Sequence, residues 1–467
     1  MANIPRQKQP CREPSGRSRD FKEVALGFTP EQAVLEAKRC MSCKKKPCCN
    51  GCPVGIDIPG FIELIAKRDF AGAARKIKER NNLPAICGRV CPQETQCEFN
   101  CVLAARKEPI AIGALERFVA DWEADHPGQG DCVNVAAAVK DRGAKIAVVG
   151  AGPAGLTAAA DLAKYGYMVT LFESLTSSGG VLRYGIPEFR LPKTILDRET
   201  EYVKSLGVEI RYNILIGRTI TVEGLFKDGY RAVFIGTGAG LPNFLGIPGE
   251  NLNGVYSANE FLTRVNLMHA YEFPVYKTPV RIGERVAVVG AGNTAMDCVR
   301  VAKRLGAKDA MIIYRRSARE APARRAEIEH AGEEGIEFRF LTAPLSIEGS
   351  DKGEVRSMTC MKMELGEADS SGRRRPLPVK GSEYTMPVDT VIIAIGQGPN
   401  PLIPLTTKGI NTDPKNGEVV VDKDYMTSMK GVFAGGDITV GEGTVIAAMG
   451  AGKRAAAAID RYLKALT

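Results

Sequence analysis

The chain has 467 residues, 44% of them hydrophobic and 25% charged, with a formal net charge of +9, one Trp and three His. That suits a folded protein of roughly two to four domains, leaves too few His for a His-built metal site, and contains no run near the ~20 apolar residues of a membrane span. Thirteen Cys and no apolar N-terminal signal segment predict a reducing, cytoplasmic setting where metal or redox chemistry outranks disulfides, and the basic excess lacks the interleaved aromatics of a nucleic-acid surface.

Residues 1–29 are polar and rich in Pro, Arg and Lys, as in an arm that wraps another surface or stays partly disordered. Residues 30–40 read as helical. Cysteines follow: Cys40, Cys43, Cys48, Cys49 and Cys52, then, after a helical gap, Cys87, Cys91, Cys97 and Cys101. The first group runs C-x2-C-x4-C-x3-C-P. It is close to the C-x2-C-x2-C-x3-C-P of bacterial ferredoxins, whose last Cys ligates the other of two clusters. Cys91-Pro92 opens a second group of the same kind. Two all-cysteine zinc sites would need compact C-x2-C pairs, and only Cys40/Cys43 has that spacing, so iron–sulfur clusters are expected. If Cys101 joins the first cluster, Cys52, Cys91 and Cys97 leave the second one ligand short. Glu116, on a helix expected over 109–124, competes for that place with Cys49 and Cys87. The plainer alternatives are a solvated surface Glu and small thiols packed beside a cluster. Cys11 and Cys132 are isolated and expected to be inert. Composition loosens from Pro127 to Arg142, the candidate linker.

Residues 145–173 form a dinucleotide unit. A short β-branched run leads into Gly150-Ala151-Gly152-Pro153-Ala154-Gly155, then an amphipathic helix, then a second strand ending at Glu173. Gly150 permits the tight turn, Gly152 lets the backbone approach a pyrophosphate, and Gly155 lets helix and strand pack closely. Glu173 can accept from a ribose hydroxyl. The loop after it, with Gly180, Arg183, Arg190 and Lys193, is expected to cover the cofactor. Strands are expected over 207–216 and 231–236. A second unit starts at Arg285, with Gly290, Gly292 and then Ala295 in the third position. Its next strand ends not in an acid but in Tyr314-Arg315-Arg316, with Arg319 nearby. Arginines there accommodate the 2′-phosphate of NADP, where an acid would favour NAD. Residues 338–384 alternate strands with polar turns and are assigned to the end of this inserted domain. A strand and glycine turn at 388–401 are assigned to the returning flavin domain, with Gly435-Gly436-Asp437 before a small-residue helix. Asp437 can accept from a ribityl hydroxyl while the helix N-terminus faces the cofactor.

Together RCMSCKKKPCCNGCP, CGRVCPQETQCEFNC, VVGAGPAGL, YGIPEFRLPK, VVGAGNTAMD, YRRS and FAGGD resemble the small, beta subunit of NADPH-dependent glutamate synthase, from about Phe21 onward. The chain is equally similar to the large subunit of the electron-bifurcating NADH-dependent ferredoxin:NADP oxidoreductase. It also resembles the N-terminal half of dihydropyrimidine dehydrogenase, whose pyrimidine-reducing half has no counterpart before Thr467. The resemblance implies an α/β chain: an all-helical iron–sulfur domain of alpha-helical ferredoxin type, then two Rossmann-like domains, the NADP domain inserted in the FAD domain. The expected boundaries are 1–142 for the helical domain with two [4Fe-4S] clusters, 143–280 and 385–467 for the two halves of the FAD domain, and 281–384 for the NADP(H) domain. Residue by residue, the resemblance implies Cys40, Cys43, Cys48 and Cys101 on one cluster. It implies Cys52, Cys91 and Cys97 on the other, with Glu116 in the fourth place, where dihydropyrimidine dehydrogenase has Gln. FAD contacts carry over to Gly150, Gly152, Gly155, Glu173, Gly180, Arg190 and Asp437, with Pro153, Ala154 and Gly436 alongside. NADP(H) contacts carry over to Gly292, Asn293, Thr294, Arg315 and Arg316, with Gly290 and Arg319 alongside.

The expected function is that of an NADP(H)-oxidising flavin and iron–sulfur subunit. A hydride exchanges between nicotinamide and flavin, and the clusters carry single electrons to a partner. The implied partner is a glutamate synthase large chain or a small flavin/[2Fe-2S] subunit, with ferredoxin as a further candidate acceptor. Glutamate synthesis and electron bifurcation both stay open. Hydride transfer needs no acid–base triad, and no catalytic side chain is assigned. A dithiol reductase of thioredoxin-reductase type would need a C-x-x-C near the flavin, but the nicotinamide unit has only Cys298 before the distant Cys360. A non-catalytic iron–sulfur scaffold would not need two dinucleotide units, and a zinc interaction module fails on spacing.

Overall fold

The computed structural model describes residues 4–106, 108–129, 143–369, 372–439 and 443–466. Most of the expected linker, and Cys132, lie outside the described residues. Helices α1 (Pro30–Ala37), α2 (Ile58–Ala66), α3 (Phe70–Lys78), α4 (Pro84–Val90) and α5 (Ile112–Asp125) build the first domain. A capping box starts α1: Thr29 and Gln32 each accept the other's backbone N–H, which satisfies two otherwise orphaned donors. Phe61, Ile62 and Ile65 on α2 and Leu115 and Val119 on α5 are buried, at the three- and four-residue spacing of one helix face. The cysteine segments thread between these helices, so a packed core fixes their thiols.

Two parallel sheets follow. The first contains β1 (Lys145–Val149), β2 (Met168–Phe172), β3 (Glu209–Arg211) and β4 (Tyr230–Ile235). The second contains β5 (Val255–Ser257), β6 (Arg285–Val289), β7 (Asp309–Tyr314), β8 (Glu337–Phe340) and β9 (Thr390–Ile393). The chain then returns to the first sheet as β10 (Val432–Ala434). The orders are β10-β4-β1-β2-β3 and β5-β9-β6-β7-β8, with every pairing parallel. Central strands have no exposed side chains at Ile146, Ala147, Val148, Val286, Ala287 and Val288, as expected of sheets covered on both faces. Antiparallel strands between 342 and 387 extend the second domain. The two crossings between the sheets, Ala239–Pro242 and Gln397–Pro399, pair antiparallel.

This topology corrects the expected boundaries at 281 and 385. Both β5 and β9 lie in the second sheet, so the inserted domain runs from the first crossing to the second. The strand within 388–401 belongs to it, not to the returning flavin half. A doubly covered parallel strand is apolar whichever sheet it joins, so composition carries no sheet address. The N-terminal arm wraps the other domains: Arg6 pairs with Glu98, Arg17 with Glu333 and Glu334, and the Val24 N–H donates to the Phe189 carbonyl.

The helical domain is clamped to the helices that flank the first sheet, α6 (Pro153–Lys164) and α10 (Val445–Lys464). Asn82 and Lys453 both bond the Asp161 carboxylate on α6. On α10, Gly450 lies against the Pro53 carbonyl, one residue after Cys52, and Gly452 lies against the Ala154 carbonyl. A side chain at either glycine would push the layers apart.

Candidate functional site

Cys40, Cys43, Cys48 and Cys101 line one small cavity, walled by Ile58, Ile62, Ile110 and Ile112. These are the four thiolates expected on the first cluster. Burial and then the neighbouring Cys49 thiol push Cys48 up to about 12; a cationic cluster would reverse that by favouring the thiolates. Met41 and Val102, on the rim of the cavity, are 57% and 45% exposed, so this site opens at the surface. Among the described residues no three His, Cys, Asp or Glu side chains converge on a single ion. A cubane, with one ligand per iron, spreads its donors; a zinc ion gathers four.

The second donor set is deeper. Cys91 and Glu116 are buried and Cys52 and Cys97 half-buried. Burial is the chief cause of the raised pKa of Cys52, about 11, and of Cys97; for Cys91 it is the hydrogen bond with Cys87. The Glu116 carboxylate raises all three further. Burial pushes Glu116 itself up to about 8, although Asn81 donates to its Oε1 at 2.7 Å. A buried carboxylate with one hydrogen bond and no cation is costly; a nearby iron would offset that cost. Cys87 is the rival in space: its Sγ lies 3.5 Å from Met449 Sδ and 3.8 Å from Asn81 Oδ1. Cys49 sits with the first set, beside Cys48 and Cys40.

The first glycine cradle and the start of the helix in the second dinucleotide unit open into one cavity of about 670 Å3. Gly150, Gly152, Pro153, Ala154, Glu173, Gly180, Arg190, Gly436 and Asp437 line it from the first domain, and Asn293 and Thr294, at the start of α8 (Asn293–Arg304), from the second. Gly150 has φ +98°, and Gly290, in the second cradle, +131°; both are left-handed turns that favour glycine. Gly155 lies beneath the turn, where a Cβ would collide with the Gly150 carbonyl. Glu173 is buried and holds its own loop: its oxygens accept from the Ala151 and Leu175 N–H groups at 2.8 and 2.9 Å. Among the described residues Asp437 Oδ1 is buried without a hydrogen-bond partner. A ligand hydroxyl would satisfy it, so the residues present fit a flavin.

Several expected residues stand elsewhere. Arg190 lines the cavity, but its guanidinium is committed to Asp297 and Glu327. Lys193, from the loop expected to cover the cofactor, is buried with Nζ donating to the Ile186 and Leu191 carbonyls, and burial lowers it to about 7. Arg316 is buried and tied to Asp369 and the Arg374 carbonyl, whereas Arg315 and Arg319 are exposed. Asn293 Oδ1 accepts from the Arg324 N–H. Three residues were missed: Tyr184, raised to about 12 by burial and then Glu173 and Asp437, Asp297 on the cavity wall, and Asn81 on Glu116. Asp297 stands inside VVGAGNTAMD, yet nothing in that string shows that its partner lies in another domain.

A glycine cradle and the start of α8 in a second dinucleotide unit facing one cavity, beside a cysteine-rich helical domain, define a two-dinucleotide flavoprotein with an iron–sulfur module. Residues 144–455 match the pyridine nucleotide-disulphide oxidoreductase family, and residues 17–127 match dihydropyrimidine dehydrogenase domain II, 4Fe-4S cluster. The glutamate synthase [NADPH] small chain of Escherichia coli is 36% identical over 461 residues, covering 96% of this chain and 95% of that one. The NADP(+)-dependent formate dehydrogenase subunit beta of Moorella thermoacetica is 41% identical over 440 residues, covering 90% of this chain but only 60% of the other. The solved FprA of Mycobacterium tuberculosis superposes with a TM-score of 0.59 at 22% identity, over 69% of this chain and 85% of that one. Thioredoxin reductase of Lactococcus lactis gives 0.52 at 20%, over 69% and 99%. The chain belongs to the pyridine nucleotide-disulphide oxidoreductase family, in the iron–sulfur branch that includes the glutamate synthase small chains. No helix among the described residues is long and apolar enough to cross a membrane.

Proposed function

We propose that the chain is the NADPH-oxidising flavin and iron–sulfur subunit of a larger oxidoreductase, the part the small chain plays in NADPH-dependent glutamate synthase. FAD, when bound, takes a hydride from NADPH together with one solvent proton and releases the two electrons singly. The first cradle, Glu173 and Asp437 hold FAD; Asn293, Thr294 and the free arginines Arg315 and Arg319 hold NADP(H). Cys40, Cys43, Cys48 and Cys101 hold the surface [4Fe-4S] cluster, and Cys52, Cys91, Cys97 and Glu116 the inner one.

One observation carries the reading. Val90 and Pro92 both line the dinucleotide cavity, so Cys91, between them, brings the inner donor set against the flavin cradle. The other donor set opens at the surface, where a partner would collect electrons. The chain accounts for 95% of a glutamate synthase small chain, which supports a large glutamate-forming chain as that partner. The second reading is the large subunit of an electron-bifurcating NADH-dependent ferredoxin:NADP oxidoreductase, which has the same internal parts and a small flavin/[2Fe-2S] partner. Among the described residues no cysteine is in a disulfide, which suits the cytoplasm. The purified chain should oxidise NADPH with ferricyanide, and should form glutamate from glutamine and 2-oxoglutarate only after a large chain is added. Glutamate formed by the chain alone would overturn the assignment; co-purification of a small flavin/[2Fe-2S] subunit would select the second reading.

A further inference from the structure

Arg190 comes from the loop of the flavin domain that precedes α7 (Lys193–Ser205). Its side chain is 6% exposed, and Nη1 lies 2.7 Å from both carboxylate oxygens of Asp297. Nε lies 3.2 Å from Glu327. Asp297 is on α8 and Glu327 on α9 (Arg325–Glu333), both in the nicotinamide domain. Phe189, fully buried, sits under the guanidinium groups of Arg300 and Arg304 at 4.7 and 3.8 Å. Glu327 also holds Arg300, and Arg300 and Arg304 share Glu334. One loop tip of the flavin domain is thus plugged into the nicotinamide domain. Asn266 of the nicotinamide domain also donates to the Tyr184 and Gly185 carbonyls. The covalent joint between the sheets is the two-stranded ribbon of the crossings, a thin connection of the sort about which domains turn.

Arg190 and Asp297 also line the cavity, on the wall where the two domains meet. Glu173 and Asp437 face that cavity from one side and Asn293 and Thr294 from the other. We propose that the Arg190–Asp297 pair is an interdomain clamp that fixes the start of α8 against the flavin cradle, and that Arg190 acts by positioning the nicotinamide domain, not by binding FAD. This rests on the NADPH-oxidising reading above. Hydride transfer requires donor and acceptor carbon and nitrogen held in near-contact, and a displacement of about 1 Å can cost roughly 100-fold in rate. Neither side chain gains or loses a proton or an electron in the step.

The test uses the full chain loaded with FAD, as wild type, Arg190→Gln, Asp297→Asn, the double variant and Arg190→Lys. Anaerobic stopped-flow mixing with NADPH reads flavin bleaching; FAD content, NADP+ affinity and hydrogen exchange are measured on the same samples. Both single variants should reduce flavin about 10- to 100-fold more slowly, with FAD content and NADP+ affinity retained. The double variant should be no slower than either single one, since both break one interaction, and Arg190→Lys should recover part of the rate. Exchange should rise in 186–192 and in the first turns of α8 in each variant. Loss of FAD from Arg190→Gln alone, with Asp297→Asn normal, would make Arg190 a cofactor contact and overturn the clamp. Unchanged bleaching, or unchanged exchange, in both single variants would also overturn it. A wild-type chain that NADPH does not bleach would fail the functional reading instead, and the exchange arm would still decide the clamp.

Discussion

The nucleotide preference of the second cradle should rest on Arg315 and not on its neighbour. Both follow β7, where the 2′-phosphate of NADP would lie in such a unit. Arg316 is spent: its Nη2 holds Asp369 at 2.9 Å and its Nε donates to the Arg374 carbonyl at 2.9 Å. Arg315 is exposed, with no ion pair among the described residues. One charge-assisted hydrogen bond to a phosphate contributes roughly 1.5–3 kcal/mol, which is about 10- to 150-fold in an equilibrium constant. Arg315→Gln should therefore lower kcat/KM for NADPH by about that factor and leave NADH within about twofold, because NADH has no 2′-phosphate. Arg316→Gln should instead loosen the Asp369 contact and affect both nucleotides alike. Steady-state kinetics with both nucleotides and ferricyanide separate the two. An equal fall for NADPH and NADH in Arg315→Gln, or discrimination lost only in Arg316→Gln, would rule out Arg315 as the 2′-phosphate contact.

Two other outcomes follow from buried charge. Glu334 is fully buried and accepts from Arg17, Arg300 and Arg304, so Glu334→Ala should cost about 3–5 kcal/mol by leaving the buried cations uncompensated, read as a lower urea midpoint. Burial raises the Glu334 pKa, but the bonds from Arg300 and Arg304 outweigh it and hold the group below the usual carboxylate range; its stabilisation should be complete above the unfolded value of about 4.3 and fade as pH falls below it. A wild-type advantage over Glu334→Gln that grows on acidification would contradict that sign. Glu116→Ala should keep FAD while one cluster loses iron or changes its EPR signature, and Cys87→Ala should keep both clusters; the reverse pattern would give Cys87 the fourth place.

What could be read from the sequence was chemistry carried by local spacing. The glycine turn at 150–155 requires a left-handed residue at a strand end, and that need is written in the string. The four thiols Cys40, Cys43, Cys48 and Cys101 do meet at one cavity, although Cys101 comes from a distant segment and only the resemblance assigned it. What could not be read depends on which elements face each other. β9 looks like any apolar strand and β5 has only three residues, so neither shows in the sequence which sheet it joins. Arg190 was expected as an FAD contact, Arg316 as an NADP contact and Lys193 as a charge on the covering loop, because their partners, Asp297, Asp369 and the Ile186 carbonyl, are supplied by the fold. All three are buried and paired within the fold.

On the proposed path, electrons pass within one chain from NADPH through FAD to the iron–sulfur clusters. Anaerobic titration of the purified, cofactor-loaded chain with NADPH, from one equivalent to an excess, followed by absorbance and low-temperature EPR, tests that path without any partner. Bleaching of the flavin band together with, or followed by, the EPR signal of a reduced cluster is the predicted result. A flavin that stays oxidised, or that bleaches while both clusters, shown to be intact and reducible by dithionite, stay oxidised in the presence of excess NADPH, would contradict it.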